Sequence, residues 1–374
     1  MKAVAVAPKS QALGLIDLER PCIARPSDVL ARVLDVGVCG TDREICAFDY
    51  GTPPAGSDRL VIGHEALGQV EAVGAAVTRV KPGDLVVPMV RRPCGRPECR
   101  ACQEERQDFC YTGLFSERGI KEHHGFMTEL IVDDEKYMNV VPSALRELGV
   151  LAEPLTIAEK ALRQVDEVQR RLPWVCPHEL GKPAGYCHRA VVLGAGPVGL
   201  LGAMALAATG YVVTVYSRER APNAKSDLLA GMGVEYVSSQ DVTPERLAEK
   251  IGNIDLVYEA SGASAASFDL MRVLGANGVF VFTGVPGRKS PISFDADYLM
   301  KRMVLQNQVL FGTVNADRGA FESAIQHLAE FDRRWPKQVR ALITGRFAIE
   351  EHGSLLQGKA DGIKNVIELS RAGR

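Results

Sequence analysis

AVVLGAGPVGLLGAMALAATGYVVTVYS, Ala190–Ser217, contains no charged residue, and the way it is read decides the fold. A helix that spans a bilayer needs about 20 continuous apolar positions. Here Gly194, Gly196, Pro197, Gly199 and Gly210 interrupt the run, and it closes on the β-branched VVTV. Strand, turn, helix, strand accounts for all of these features, so a membrane span is not expected. In that frame Gly194-Ala-Gly196-Pro197-Val198-Gly199 follows the strand RAVVL and opens an apolar helix. This is the setting in which G-x-G-x-x-G predicts a dinucleotide site. The first glycine makes a tight turn, the second lets backbone approach a pyrophosphate, and the third lets helix pack on strand. The helix N-terminus adds partial positive charge. Gly194, Gly196, Pro197, Val198 and Gly199 are therefore candidate cofactor contacts.

The end of the next strand selects the dinucleotide. NAD sites usually carry an acidic residue about 20 residues beyond the glycines, whereas YVVTVY runs into Ser217-Arg218-Glu219-Arg220. A hydroxyl and two guanidinium groups suit a 2′-phosphate, which arginine grips as a planar fork. Ser217, Arg218 and Arg220 thus predict NADP, with NAD the alternative through Glu219.

Outward from this stretch the strand–helix rhythm continues through IDLVYEASG and GVFVFTGVPG, which implies a parallel sheet with crossovers. Upstream, the first 90 residues alternate short β-rich runs with Pro/Gly turns, as in KAVAV, DVLARVLDVGV, GQVEAVG and DLVVPMV, predicting a mostly antiparallel β domain. EKALRQVDEVQRR reads as a solvated helix, and Pro173, Pro177 and Pro183 mark a linker after it. The tail from Asn315 carries one helix and short strands ending in GIKNVIEL, and is expected to fold back on the first domain. The division expected is 1–185 with 315–374, and 186–314 between them.

A chain of 374 residues with a net charge of −2 and no long basic block is not built for nucleic acid or an anionic membrane. MKAVAVAPKS lacks the apolar core of a signal peptide and reads as a strand. Nine cysteines, an odd number, point to a reducing, cytoplasmic compartment with thiols used for metal or buried.

Two cysteine-containing clusters follow. Cys94, Cys99, Cys102 and Cys110 form C-x4-C-x2-C-x7-C in a lobe of about residues 91–115. Four thiolates would saturate a tetrahedral zinc and leave no place for substrate, although C-x-x-C pairs also make exchangeable disulfides. Cys39 with His64 and Glu65 is a mixed thiolate, imidazole and carboxylate set, suited to a catalytic zinc that keeps a position open. A third group, Cys176, His178, Cys187 and His188, lies in the Pro-rich linker with irregular spacing; it reads better as an incidental loop than as a site, with a Cys176–Cys187 disulfide the alternative.

Together these motifs resemble the zinc-containing medium-chain dehydrogenase/reductase superfamily. GHEALGQVEAVGAAVTRVKPGDLVV is similar to its zinc signature, the cysteine lobe to its structural-zinc loop, and VVLGAGPVGLL to its cofactor turn. RQDFCYTGLFSERGI, HGFMTEL, LAEPLTIAEKAL and GTVNADRGAF resemble, more narrowly, the microbial glucose 1-dehydrogenases. The resemblance spans nearly the whole chain. It implies an α/β protein: a GroES-like β-rich catalytic domain, completed by the tail, around a Rossmann doubly wound parallel-sheet domain. It implies two zinc ions per chain, the catalytic one held by Cys39, His64, Glu65 and Glu153, with some members using a subset and Glu65 able to act through water. Thr41 would touch the reacting oxygen, and Asp42 would orient His64. Glu117, Glu153 and Asn315 would contact a sugar, and Thr283 and Asn315 the cofactor. The family loop usually has C-x2-C-x2-C-x7-C, so the first gap here is longer and contains Pro97. Val90 and Ile157 stand where some glucose enzymes carry polar side chains.

The implied reaction is oxidation of an aldose at C1 to the lactone, with hydride passing to the nicotinamide and zinc lowering the pKa of the C1 hydroxyl. The implied assembly is a homo-oligomer, a dimer or tetramer. A zinc dehydrogenase for a polyol, a secondary alcohol or L-threonine is the nearest alternative. A non-catalytic NADPH-binding redox sensor is a more distant one, for which Cys39, His64 and Glu65 would be superfluous.

Overall fold

The computed structural model describes residues 1–174, 176, 185–287, 291–358 and 361–369. The chain forms two units: Met1–Thr156 with Asn315–Ala329 and Leu342–Arg374, and Ile157–Val314 with Glu330–Ala341.

The first unit is built on a seven-stranded sheet. At its centre lies Asp28–Gly37, DVLARVLDVG, nine of whose ten residues are buried. Because both faces are covered, this strand carries a near-continuous apolar run instead of an alternating one. Glu65–Val73 pairs antiparallel with it on one edge, in the register Gly37↔Glu65. Lys364–Glu368 pairs antiparallel on the other, in the register Val366↔Gly37. The C-terminal strands Ile343–Ala348 and Lys364–Glu368 thus complete a sheet begun more than 300 residues earlier. This register brings the first residues of two strands, Glu65 and Lys364, to the same end of the central strand.

The second unit holds a six-stranded parallel sheet. Its strands are Arg189–Leu193, Val212–Ser217, Glu235–Ser238, Leu256–Glu259, Val279–Phe282 and Val309–Gly312. Numbered in chain order they run 3-2-1-4-5-6, the doubly wound arrangement in which ligands bind where strand order reverses, beyond the carboxyl ends of strands 1 and 4. Helix Pro197–Ala208 follows strand 1 and is buried from Gly199 to Leu206. That burial, with that of the strands on either side, is why Ala190–Ser217 has no charge. No helix among the described residues is long and apolar enough to cross a membrane.

The unit boundaries depart from the sequence expectation in two places. Residues from Ile157 to 185 belong with the second unit instead of the first, and so do Glu330–Ala341. Helix Ala152–Gln169 is solvated only in its later half. Its earlier half is buried and includes Glu159 and Lys160; Lys160 Nζ donates to the Val314 carbonyl at 2.9 Å. Further along, Gln169 and Arg171 both donate to the Asn277 carbonyl. A stripe of charged residues in sequence cannot reveal that one lysine is consumed by a carbonyl 154 positions away. In the second segment, Arg334 donates to the Ala208 carbonyl at 3.1 Å.

The linker also departs from expectation. Cys176 and Cys187 are joined in a disulfide rather than lying in an incidental loop. Their Cα atoms stand 5.7 Å apart, within the span a bridge requires. The other seven cysteines are free. Pro177, His178 and Pro183 lie outside the described residues.

Candidate active site and metal centres

Cys39 immediately precedes the short helix Gly40–Cys46. Asp42, in the first turn of that helix, accepts the Cys39 backbone N–H through Oδ2 at 2.9 Å. Its other oxygen, Oδ1, stands 3.3 Å from His64 Nδ1, yet neither atom has a hydrogen-bond partner of good geometry although both are buried. One fully buried carboxylate therefore holds the thiol's backbone and faces the imidazole. With Nδ1 turned to Asp42, Nε2 is the nitrogen left for a ligand. Sulfur of Cys39, a ring nitrogen of His64 and a carboxylate oxygen of Glu65 all lie within 4.8 Å of one another.

Burial works against a charged His64, but the Asp42 carboxylate and the Cys39 sulfur outweigh it and hold the imidazole well above its ordinary pKa. Such concentrated negative potential, with a mixed N, O and S donor set within 4.8 Å and an imidazole whose Nδ1 faces a buried carboxylate, fits a zinc ion. Glu153, at the start of helix Ala152–Gln169, is buried but stands outside the three-donor group. Burial pushes its carboxyl up to about 7; His64 and Lys364 pull against this, while Glu65 and Asp42 add to it. Thr41 is half-buried beside Asp42.

Lys364 is the group that sequence reasoning missed. Its buried Nζ lies 2.5 Å from Glu65 Oε2 and donates to the Val38 carbonyl at 3.2 Å. Burial opposes its charge, but Glu65 and Cys39 raise its pKa above the usual lysine value. It ties up one Glu65 oxygen and leaves Oε1 for a metal or its water. GIKNVIEL reads only as a terminal strand, so no local signal places an ammonium 299 residues away from its partner.

Because Asp42 touches both Cys39 and His64, Asp42→Asn is expected to weaken zinc at this centre by about 10- to 100-fold. Competition against a zinc chelator measures this; an unchanged affinity would count against Asp42 as the supporting carboxylate.

In the second cluster the sulfurs of Cys94, Cys99, Cys102 and Cys110 also lie within 4.8 Å of one another. The short helix Arg100–Gln103 carries Cys102, whose sulfur accepts the Cys94 N–H at 3.4 Å. The longer first gap is absorbed by a turn in which the Cys99 N–H donates to the Arg96 carbonyl at 3.1 Å. Pro97 takes the second position of that turn, where its fixed φ is favourable. The insertion therefore bulges outward and returns Cys99 to its place. An all-thiol set of this kind is closed to substrate.

In the second unit, Gly194 adopts φ +106°, and a Cβ at Gly199 would run into the Gly194 carbonyl. Those two glycines are needed by the protein itself. A Cβ at Gly196 would meet nothing within 4 Å, so the protein's own packing does not demand glycine there, and the open space at the helix start is of the kind a phosphate can occupy. Pro197 and Val198 form the first turn of the helix.

Beyond strand Val212–Ser217, Arg220 pairs with Asp241 at 2.9 Å and Glu219 with Lys225 at 2.9 Å. Arg218, exposed, has no ion-pair partner among the described residues, and Ser217 is half-buried next to it. Thr283 spends its hydroxyl on the Glu259 carbonyl at 2.7 Å. Glu259, which the sequence did not single out, accepts from Ser261, Gly262 and Gly284 and so binds together the loops that follow two strands.

Glu117 and Asn315 do come together: Asn315 Nδ2 donates to Glu117 Oε1 at 3.0 Å. Val90 is packed in the core of the first unit, so its apolar character serves packing, while Ile157 belongs to the second unit.

Comparison with known proteins bears on this geometry. Residues 25–143 match the alcohol dehydrogenase GroES-like domain, and residues 146–369 match the glucose dehydrogenase C-terminus. The glucose 1-dehydrogenase of Methanocella arvoryzae is 37% identical over 372 residues, covering 99% of each chain. That of Thermoproteus tenax is 37% identical over 373 residues, again covering 99% of each. The chain belongs to the glucose 1-dehydrogenase family. Among solved structures, glucose dehydrogenase from Haloferax mediterranei in complex with NADP, Zn and gluconolactone superposes with a TM-score of 0.87, at 32% identity and full coverage of both chains. The glucose dehydrogenase family model takes in the helix Ala152–Gln169, the parallel sheet and the returning C-terminal strands as one stretch. The GroES-like domain model contains Cys39, His64, Glu65 and the whole cysteine lobe.

Proposed function

We propose that this protein is a zinc-dependent glucose 1-dehydrogenase, oxidising an aldose at C1 to the lactone and reducing NADP. The observation that carries the reading is the convergence of Cys39, His64 and Glu65 around an Asp42-facing imidazole, in a chain related over its full length to glucose 1-dehydrogenases. Bound at these residues, zinc would supply a Lewis acid for the C1 hydroxyl, and NADP would be the hydride acceptor.

The chain's own groups divide the remaining work. Asp42 holds Cys39 and orients His64, and Lys364 holds Glu65. Thr41, next to Asp42, is suited to accept the C1 hydroxyl proton and hand it outward. Glu117, with Oε1 occupied by Asn315, would present Oε2 to a sugar hydroxyl. The turn Gly194–Gly199 would take the pyrophosphate on backbone N–H groups, and Arg218 would take the 2′-phosphate in a fork. Cys94, Cys99, Cys102 and Cys110 would hold a second, structural zinc.

Steady-state rates of NADPH or NADH formation with glucose, galactose, xylose, a polyol, a secondary alcohol and L-threonine test the assignment. The highest kcat/KM is expected with glucose and NADP. A higher value with a polyol or L-threonine would replace the substrate class, and no turnover of any alcohol would remove the enzymatic reading.

A further inference from the structure

We infer that Arg91 is a positioning residue for sugar recognition, which acts by aiming the Glu117 carboxylate; the inference rests on the sugar-contacting role proposed for Glu117. Strand Arg91–Arg92 pairs antiparallel with Ser116–Arg118, in the register Arg91↔Glu117. The two side chains are thus direct cross-strand neighbours, and both are buried. Arg91 Nε and Nη2 each lie 3.0 Å from the same oxygen, Glu117 Oε1.

The guanidinium is held from its other side as well. Arg91 Nη1 donates to the carbonyl of Asp108 at 3.2 Å and lies at the limit of reach, 3.5 Å, from that of Gln107. The Phe115 ring lies 3.7 Å beneath it. The turn Gln107–Phe109 leads directly into Cys110, and Arg91 itself is three residues before Cys94. Arg91 is therefore fixed to both ends of the four-cysteine lobe, and Glu117 is fixed to Arg91.

Adding Asn315, Glu117 Oε1 receives three donors. A carboxylate has about four lone-pair sites in all, so Oε1 is spent and Oε2 is the acceptor left, placed by the three donors that pin its neighbour. A sugar hydroxyl must be met at a defined angle, and a planar fork supplies that angle where an ammonium would not. Arg91 makes no contact with substrate in this account, so its effect is on recognition through Glu117.

The test compares Arg91→Met, Arg91→Lys, Glu117→Gln and the Arg91→Lys/Glu117→Gln double variant. Each is assayed for kcat and KM with glucose, for NADPH affinity by fluorescence, and for zinc content. Arg91→Met is expected to raise the glucose KM by about 10- to 100-fold, the loss of one well-aimed charged hydrogen bond, with NADPH affinity and zinc content within about twofold. Arg91→Lys should recover part of the loss. Once Glu117 is glutamine, Arg91→Lys should change KM by less than about twofold, because partners that act as a unit are not additive.

An Arg91→Met KM within about twofold of wild type, or an Arg91→Lys effect that simply adds to that of Glu117→Gln, would overturn the inference while leaving Glu117 in place. Glu117→Gln kinetics that coincide with wild type would overturn it together with the role given to Glu117. If Arg91→Met does not fold, the comparison between Arg91→Lys and the double variant decides the matter.

Discussion

Cys39→Ala is expected to lower kcat/KM for glucose by at least about a thousandfold, leave NADPH binding intact, and reduce the zinc content from about two ions per chain to about one. Lewis-acid assistance contributes several kcal/mol to a transition state, and about 4 kcal/mol corresponds to about three powers of ten in rate. The selectivity follows from the division of the chain: Cys39 lies in the first unit and the glycine turn with Arg218 in the second. The structural thiols Cys94, Cys99, Cys102 and Cys110 form their own cluster and should keep their metal. Circular dichroism and a melting curve guard against simple unfolding, and His64→Ala should reproduce the phenotype. Full activity in a variant that has lost one zinc would remove that metal from the mechanism.

The second large effect concerns the cofactor. Arg218→Ala is expected to weaken NADP by about 10- to 100-fold, the worth of one or two charge-assisted hydrogen bonds to phosphate, while NAD changes by no more than about twofold. Arg220→Ala should do less. Its guanidinium is already paired with Asp241, so recruiting it to a phosphate means giving up an existing partner. The sequence offers Arg218 and Arg220 equally to a 2′-phosphate and Glu219 to NAD, whereas the structure pairs Glu219 with Lys225 and Arg220 with Asp241 and leaves Arg218 available. Dissociation constants for both cofactors by fluorescence would measure this. Equal losses for NADP and NAD would refute a 2′-phosphate site at Arg218.

How much of this was legible beforehand depends on how local the physics is. The Gly194–Gly199 turn was legible because each requirement is met by residues a few positions apart: a positive φ at Gly194, and close approach of Gly199 to the Gly194 carbonyl. Four thiols within seventeen residues are similarly local. The charged pattern of EKALRQVDEVQRR reads as solvated throughout, and only the fold shows that its first residues, Glu159 and Lys160, are buried, with Lys160 donating to the Val314 carbonyl. Spacing in a linker leaves a Cys176–Cys187 bridge only as an alternative, because it says nothing of how near the two cysteines are held.

The sequence by itself determined the two-part architecture, a glycine turn between strand and helix, a compact four-cysteine cluster, and Cys39, His64 and Glu65 as a candidate open metal site. In each case, residue type and spacing alone restrict the chemistry. Only the tertiary structure decided what surrounds those donors. Asp42 became the residue gripping Cys39 and facing His64, Lys364 the counter-charge on Glu65, and Arg91 the fork behind Glu117. The physical reason is that a buried charge needs a partner, yet any element of the fold can provide it. For Glu65 that partner arrives 299 residues later, because strand Lys364–Glu368 happens to close the sheet beside Asp28–Gly37.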